Sequence, residues 1–383
     1  MYTFPIKKLN EVETPFYYYN MQLLDDTLNV IKQEAEKYKY HVHYAVKANA
    51  NKRILERINA CGFGADCVSG NEVSASLAAG FPGKKVVFAG VGKADKEIIT
   101  GLQNDIACFN VESIPELEVI DEIAGRMNKT AKVALRINPN VKADTHKYIT
   151  TGLEENKFGI NLWDLEKVLD KVKELTNIEF VGIHFHIGSQ INDLTSFKML
   201  CNRINELQEL FEKRHNVPKI INVGGGLGID YENPDENPIP DFKAFFKIFD
   251  DFLELKEGQE VHFELGRSVV GQCGTLMSKV LYIKEGVKTS FAIIDAGMTD
   301  LIRPALYQAY HKIENLTSER REEKYDVVGP ICESSDCFGK AVSLPKTVRG
   351  DLMAIRSAGA YGEIMASQYN LRTLPKAVYS DEI

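Results

Sequence analysis

A regular alternation of short apolar segments and amphipathic segments is the feature that most limits the fold of this chain. The predicted strands are 42–46, 62–65, 86–89, 106–110, 132–138, 180–186, 219–223 and 260–265. Segments with helical spacing lie between them. Strands such as 133–137 are apolar on both faces, as in a parallel sheet that helices cover. Eight such strands predict a (β/α)8 barrel, and the alternative is an open doubly wound sheet.

The pattern changes near residue 271. Segments 276–283, 290–294, 325–329 and 351–356 have strand character and are separated by turn residues, with few helical segments between them. A chain of 383 residues is also too long for one ordinary core. We therefore predict a second, C-terminal all-β domain, a β-sandwich or β-barrel.

Charge and apolar content exclude several classes of protein. The net charge is −8 and no basic run is present, so nucleic acid is not an expected partner. No apolar run has the length of a membrane span, and the first residues do not resemble a signal peptide. The seven cysteines are scattered, without the pairing of a metal site. We therefore expect a cytoplasmic protein with no membrane partner and no metal.

Candidate site residues follow the ends of the predicted strands, where barrel enzymes have their active sites. They are Lys47 after the first strand, Asp66 and Glu72 after the second, His186 and Ser189 after the sixth, Gly224, Gly225 and Gly226 after the seventh, and Glu264, Gly266 and Arg267 at the eighth.

These residue types together indicate pyridoxal 5′-phosphate. Lys47 has two interpretations. It can be a desolvated lysine, which is a nucleophile for carbonyl groups, or a solvated lysine at a strand end. The glycine run can admit a phosphate, or it can be a tight strand–helix connection. Glu264 can bind the ring nitrogen of a heterocycle, or it can pair with Arg267. His186 can stack on the ring, or it can be a core histidine.

Four segments resemble the fold-type III pyridoxal-phosphate decarboxylases: 44–49, 184–190, 224–226 and 264–267. The resemblance implies a barrel domain at 21–265 and a β domain formed by 1–20 and 266–383. It implies that Lys47 carries the cofactor as a Schiff base and that Glu264 keeps the pyridine nitrogen protonated. Tyr361 matches a tyrosine that binds the phosphate, and Asp66 and Glu72 match acidic residues near the lysine and the ring.

Within this group the chain is most similar to the diaminopimelate decarboxylases, through segments 144–152, 295–311 and 329–336. The reaction implied is the conversion of meso-2,6-diaminopimelate to L-lysine and carbon dioxide, the last step of lysine biosynthesis. The distal end of this substrate carries a carboxylate and an ammonium group. Arg267 and Arg303 would bind the carboxylate, with Tyr307 and Tyr361 beside them, and Glu333 would bind the ammonium group.

The resemblance also implies an obligate homodimer in which Cys332 and Glu333 come from the neighbouring subunit, with Cys332 as the proton donor. Ser335 and Thr299 depart from the usual glycine and asparagine of the family, which affects the expected geometry of the substrate loop. The alternatives are a decarboxylase of a related amino acid such as carboxynorspermidine, a racemase and an inactive relative. The presence of Lys47 argues against the inactive relative, and Cys332 has no role in a racemase.

Overall fold

The computed structural model describes residues 2–141 and 157–383. The chain forms two compact units. The β unit consists of Met1–Thr27, Ile229–Pro240 and Arg267–Ile383, and the barrel unit consists of Leu28–Gly228 and Asp241–Gly266. Residues 21–27 and 229–240, which we predicted as part of the barrel domain, belong by their contacts to the β unit. Segment 144–152, which carries part of the family resemblance, lies outside the described residues.

Eight parallel strands close into a barrel in chain order, which confirms the predicted fold and excludes the open sheet. The strands are β2 (His41–Ala45), β3 (Gly64–Cys67), β4 (Val86–Phe88), β5 (Cys108–Val111), β6 (Ala131–Arg136), β7 (Ile178–His184), β8 (Ile220–Asn222) and β9 (Glu260–Leu265). The long helices are α2 (Met21–Glu36), α3 (Lys52–Ala60), α4 (Gly70–Ala78), α5 (Asp95–Gln103), α6 (Ile114–Arg126), α7 (Leu165–Glu174), α8 (Thr195–Lys213) and α9 (Phe242–Phe252).

Successive side chains along a barrel strand point alternately to the helices outside the barrel and to the barrel interior. On β9 the ring of Phe263 packs on the phenylalanines of α9, with its centroid 4.9 Å from those of Phe246 and Phe249. The neighbouring side chain of Glu264 points to the opposite face, because successive side chains of a strand alternate. That face is the barrel interior, since Glu264 bonds to Asn110 on β5, a strand that is not adjacent to β9. The barrel interior therefore carries polar side chains at the level of Glu264.

The β unit is built on one eight-stranded sheet, which confirms the predicted second domain. Its main path runs β12–β15–β10–β11–β13–β14, with β1 paired to both β10 and β16. The elements are α1 (Ile6–Glu11), β1 (Phe16–Tyr19), α10 (Arg267–Val270), β10 (Gly274–Glu285), β11 (Ser290–Ile294), α11 (Arg303–Tyr307), β12 (Ile313–Asn315), β13 (Glu322–Val328), β14 (Cys337–Pro345), β15 (Leu352–Ile355) and β16 (Lys376–Tyr379).

The N-terminal strand enters this sheet, as the family resemblance implied. Phe16 lies opposite Met277 in the antiparallel pairing of β1 with β10, and opposite Lys376 in the parallel pairing with β16. Phe16, Tyr18 and Met277 share one buried cluster with Leu352. No helix in the described part of the chain is long and apolar enough to span a membrane.

Candidate active site

The Glu264 carboxylate has side-chain partners at both of its oxygens in the barrel interior. Oε1 accepts hydrogen bonds from Asn110 Nδ2 at 3.1 Å and from Asn222 Nδ2 at 2.7 Å. Oε2 lies 2.9 Å from His184 Nε2. Burial alone would raise the pKa of Glu264, but the charge and hydrogen bond of His184 lower it below its usual range. The carboxylate is therefore ionised at neutral pH, which is the state that can hold a proton on a pyridine nitrogen.

Lys47 lies just after the first barrel strand, in the 3-10 turn Val46–Ala48. Its side chain is 39% exposed, so it is less buried than the strand pattern indicated, and its Nζ lies 4.0 Å from Asp66 Oδ2. Among the described residues neither carboxylate oxygen of the buried Asp66 has a hydrogen-bond partner. Burial and the neighbouring Glu264 raise the pKa of Asp66 well above its usual value. A buried carboxyl without hydrogen-bond partners is costly, which is typical of a ligand site.

The charge of Lys47 acts on the Glu72 carboxylate. The hydrogen bonds of Glu72, however, are those of a residue in the first turn of a helix. Its Oε2 accepts a hydrogen bond from the Val68 backbone N–H at 2.7 Å. The Glu72 backbone N–H donates to Ser69 Oγ at 3.2 Å, so Ser69 caps α4. Burial raises the pKa of Glu72, whereas the Val68 hydrogen bond and the Lys47 charge lower it.

His186 lies near two cations. Burial, followed by the charges of Lys47 and Arg136, lowers the pKa of His186 well below its usual value. The ring is therefore neutral, which suits stacking on an aromatic group. Arg136, at the end of β6, forms a buried ion pair with Glu112, with 2.8 Å between Nη1 and Oε1.

The glycine run sits where side chains cannot fit. A Cβ on Gly224 would overlap the carbonyl oxygen of Phe185, and one on Gly225 would overlap that of Glu264. Gly226 has a φ of 112°, in the region that favours glycine. The Ile191 backbone N–H donates to the Gly226 carbonyl at 2.9 Å, which brings the loop containing Ser189 beside the run. The glycine run is thus a tight connection, and its role as a phosphate site stays a prediction.

Gly266 ends the barrel unit next to the turn that carries Lys47. A Cβ at Gly266 would lie 3.1 Å from the Cβ of Ala45 and 3.2 Å from that of Ala48. A larger residue at 266 would therefore press on that turn.

The β unit contains a separate cluster of arginines and tyrosines. Arg267 Nη1 donates to the Tyr231 hydroxyl at 2.6 Å, and its guanidinium carbon lies 5.0 Å from the centre of the Tyr361 ring. The guanidinium carbon of Arg303 lies 5.7 Å from the Tyr231 ring and 6.0 Å from the Tyr361 and Tyr307 rings. The structure thus brings together four of the predicted substrate-binding residues.

Arg303 is nearly buried, with 7% of its surface exposed. Its Nε donates to His311 Nε2 at 3.3 Å, and no carboxylate of the described residues forms an ion pair with it. His311 Nδ1 in turn donates to the Arg356 carbonyl at 2.9 Å. A buried guanidinium held by a neutral ring retains its full positive charge for an anionic ligand.

Cys332 and Glu333 lie together on the connection between β13 and β14. Cys332 is exposed, and its backbone N–H donates to Asn370 Oδ1 at 3.3 Å. Glu333 Oε1 accepts from the Tyr369 hydroxyl at 2.7 Å. Neither residue bonds to the arginine cluster in the part of the chain that the structure describes.

Sequence reasoning missed several residues of these two groups. They are Asn110, Arg136, His184, Asn222, Tyr231 and His311. Asn110, Arg136 and Asn222 lie at or near strand ends, so the rule that found Lys47 and Glu264 could also have found them. Tyr231 and His311 had no comparable signal.

The barrel unit fits the predicted cofactor. It offers an amine at Lys47, an ionised carboxylate at Glu264, a buried carboxyl without hydrogen-bond partners at Asp66 and a backbone turn without side chains at Gly224–Gly226. These groups match an aldehyde, a ring nitrogen and a phosphate.

Comparisons with known proteins identify the family of the chain. Residues 24–271 match the family described as "Pyridoxal-dependent decarboxylase, pyridoxal binding domain". The chain is 63% identical over 381 residues to diaminopimelate decarboxylase of Bacteroides thetaiotaomicron, covering 99% of each chain. It is 40% identical to the Aquifex aeolicus enzyme of that name, over 94% of this chain and 84% of the other. The crystal structure of diaminopimelate decarboxylase from Helicobacter pylori with L-lysine has a TM-score of 0.91 and 38% identity, covering 97% of this chain and 93% of the other.

Proposed function

The chain belongs to the diaminopimelate decarboxylases, a family of pyridoxal-phosphate-dependent enzymes, and from this we propose that it converts meso-2,6-diaminopimelate to L-lysine and carbon dioxide. The observation that carries the proposal is the ionised Glu264 carboxylate, bound by three side chains inside the barrel. The 63% identity to a diaminopimelate decarboxylase supports this choice of substrate.

Pyridoxal 5′-phosphate, when bound, supplies an electron sink for the carbanion that remains after carbon dioxide leaves. We assign Lys47 Nζ to holding the cofactor and Glu264 to keeping the proton on its ring nitrogen. The neutral ring of His186 would lie against the cofactor ring. Asp66 and Glu72 would set the charge around Lys47.

Phosphate binding in the proposal needs hydrogen-bond donors from the backbone and from polar side chains. We assign this role to Gly224–Gly226, Ser189 and Gly266, together with Arg267 and Tyr361. The overlap that any Cβ would cause at Gly224 and Gly225 supports a requirement for glycine there. A backbone cradle also binds an anion without the conformational freedom of long side chains.

Substrate recognition is assigned to Arg267, Arg303, Tyr307, Tyr361 and Glu333. A substrate with a distal carboxylate needs a cation that no protein carboxylate neutralises, and the buried Arg303 meets this condition within the described residues. Substrates with only an amine at the distal end, such as ornithine, would leave that guanidinium without a partner, which is costly.

The finer proposal is a cytoplasmic homodimer in which Cys332 Sγ of one subunit donates the proton that replaces the carboxylate in the other. The exposure of Cys332 and Glu333 supports it, because residues offered to a second subunit lie on the surface of the first. All seven cysteines are free thiols, which fits a reducing compartment.

The test is an assay of purified protein with added cofactor against meso-diaminopimelate, ornithine and carboxynorspermidine, with carbon dioxide and the amine product both measured. We expect turnover of meso-diaminopimelate to L-lysine and little turnover of the other two. Faster turnover of either alternative would reassign the substrate while leaving the decarboxylase chemistry in place. Absence of carbon dioxide release from all three would contradict the reaction itself.

A further inference from the structure

A second polar cluster lies at the N-terminal ends of the barrel strands, away from the strand ends that carry Lys47 and Glu264. His41 and His43 are on β2, and Glu260 and His262 are on β9. These strands close the barrel by parallel pairing, with His41 opposite His262. The four residues line a cavity of about 860 Å³ in the barrel unit.

Three of these side chains have the geometry of a metal site. His41 Nε2 lies 3.9 Å from Glu260 Oε2, and His262 Nε2 lies 3.5 Å from the same oxygen. One nitrogen from each histidine and one carboxylate oxygen lie within 4.8 Å of one another. Ligands at about 2.1 Å from a tetrahedral zinc ion are roughly 3.4 Å apart, so small side-chain rotations would suffice.

A chain of hydrogen bonds fixes the tautomer of His262. His43 Nδ1 must donate to the Lys85 carbonyl, 3.2 Å away, because a carbonyl oxygen only accepts. His43 is buried, with 5% of its surface exposed, and a neutral imidazole with its proton on Nδ1 carries its lone pair on Nε2. That lone pair accepts from His262 Nδ1 at 2.9 Å, which leaves a lone pair on His262 Nε2.

The lone pair of His262 is directed at another acceptor. Its Nε2 is buried and has no hydrogen-bond partner among the described residues, and the nearby Glu260 oxygen also only accepts. Two acceptors that face each other at this distance are suited to share a cation. Histidine ligands of metal ions characteristically donate their second nitrogen to a neighbouring acceptor, as His262 does to His43.

The charged neighbours are compatible with such an ion. Lys219 Nζ lies 3.7 Å from the other carboxylate oxygen of Glu260, Oε1, so Oε2 remains directed at the histidines. Lys85 Nζ donates to the Gly62 carbonyl. These two lysines are thus directed at other oxygen atoms.

We propose that His41, Glu260 and His262 bind a divalent transition-metal ion of the zinc type across the seam where the barrel closes. Two imidazoles and one carboxylate are a common ligand set for zinc, and water would complete the coordination. Because His41 and His262 belong to the first and last barrel strands, the ion would stabilise the closed barrel. We did not expect a metal from the sequence, since its ligands lie at opposite ends of the barrel segment.

The test uses the full chain with its cofactor, stripped of metal by a chelator and titrated with Zn²⁺ in competition with a chromogenic chelator. We expect one tight site per chain and a rise of the melting temperature with added Zn²⁺. His41→Ala and Glu260→Gln should each weaken binding about tenfold or more and abolish the rise in melting temperature. The matched control is His215→Asn, which replaces an exposed histidine and should bind as the parent does.

Cobalt distinguishes this site from the free cysteines. Co²⁺ bound by nitrogen and oxygen lacks the intense near-ultraviolet band of a thiolate complex. A thiolate band from the tight site would overturn the proposal. Absence of a tight site in the parent protein would overturn it as well, and so would equal affinity in His41→Ala, Glu260→Gln and the control. The melting temperatures of both variants without metal show whether each is folded, and a destabilised variant is replaced by His41→Gln or Glu260→Ala.

Discussion

His184 Nε2 lies 2.9 Å from Glu264 Oε2 in the barrel interior. The two residues come from β7 and β9, and Asn222 on the intervening β8 bonds to the other oxygen of the same carboxylate. His184 is therefore the histidine that lies within hydrogen-bond distance of Glu264, whereas the predicted role of His186, stacking on the cofactor ring, stays a prediction. The carboxylate thus remains charged despite its burial, through the charge and hydrogen bond of one imidazole and two neutral amides.

We expect Glu264→Gln to bind cofactor and to lose most turnover. A neutral amide of the same size keeps the contacts with Asn110 and Asn222 but cannot hold a proton on the ring nitrogen. The expected fall in kcat is about 100-fold or more, the usual scale for losing a positioned proton-holding group. Cofactor content measured beside kcat checks this, with the exposed Glu179→Gln as control. A kcat within twofold of the parent would remove the proposed role of Glu264.

We expect Lys47→Ala to lose both turnover and the absorbance band near about 420 nm that marks a lysine-bound cofactor. The reason is that Lys47 supplies the only amine assigned to the aldehyde. Absorbance of the dialysed holoenzyme checks this, with the exposed Lys52→Ala as control. If the band survived in the variant, another lysine would have to hold the cofactor.

The fold was predictable because its signal is local. The eighth strand was predicted at 260–265 and is observed at Glu260–Leu265, and the predicted 42–46 is observed at His41–Ala45. Apolar periodicity within a few residues suffices for such predictions. The exposure of Lys47 was not predictable, because it depends on the turn that follows the strand rather than on the strand itself.

The partners of Glu264 were not predictable, because they depend on barrel closure. Asn110 is separated from Glu264 by 154 positions and His184 by 80. Strand ends alone indicated that these residues share one end of the barrel, but not which of them would bond. The tautomer chain from Lys85 to His262 depends in the same way on the packing of two strands and the 3-10 turn Gly83–Lys85.

We expect Arg303→Lys to lower kcat/KM for meso-diaminopimelate roughly 30-fold, which corresponds to about 2 kcal/mol for a charged hydrogen bond. Lysine keeps the charge but cannot form two parallel bonds to a carboxylate, and it loses the planar contact with Tyr231. Steady-state kinetics check this, with the exposed Arg320→Lys as control. An unchanged kcat/KM would exclude Arg303 from substrate binding.

A mixing experiment tests whether Cys332 acts in the neighbouring subunit. Cys332→Ala and Lys47→Ala should each be nearly inactive as pure proteins, although Cys332→Ala should retain its cofactor. Hybrids of the two contain one intact site if that site takes Lys47 from one chain and Cys332 from the other. After subunit exchange at equal concentrations we expect about a quarter of the parent activity, from half the dimers with one of two sites intact. No recovery in proven hybrids would place both residues in sites of one chain.

His311 makes stability depend on pH in a direction that can be measured. Burial, followed by the charge of Arg303, lowers the pKa of His311 to about 3. Between about pH 6.5 and 3 the unfolded chain therefore binds a proton that the folded chain does not, so acidification lowers the free energy of unfolding. The contribution is at most about 1.4 kcal/mol per pH unit.

We expect His311→Asn to show a correspondingly shallower loss of stability between about pH 7 and 5 in chemical unfolding. His215→Asn, at an exposed histidine, should keep the parent slope, and an equal slope in His311→Asn would show that His311 is protonated in the folded chain.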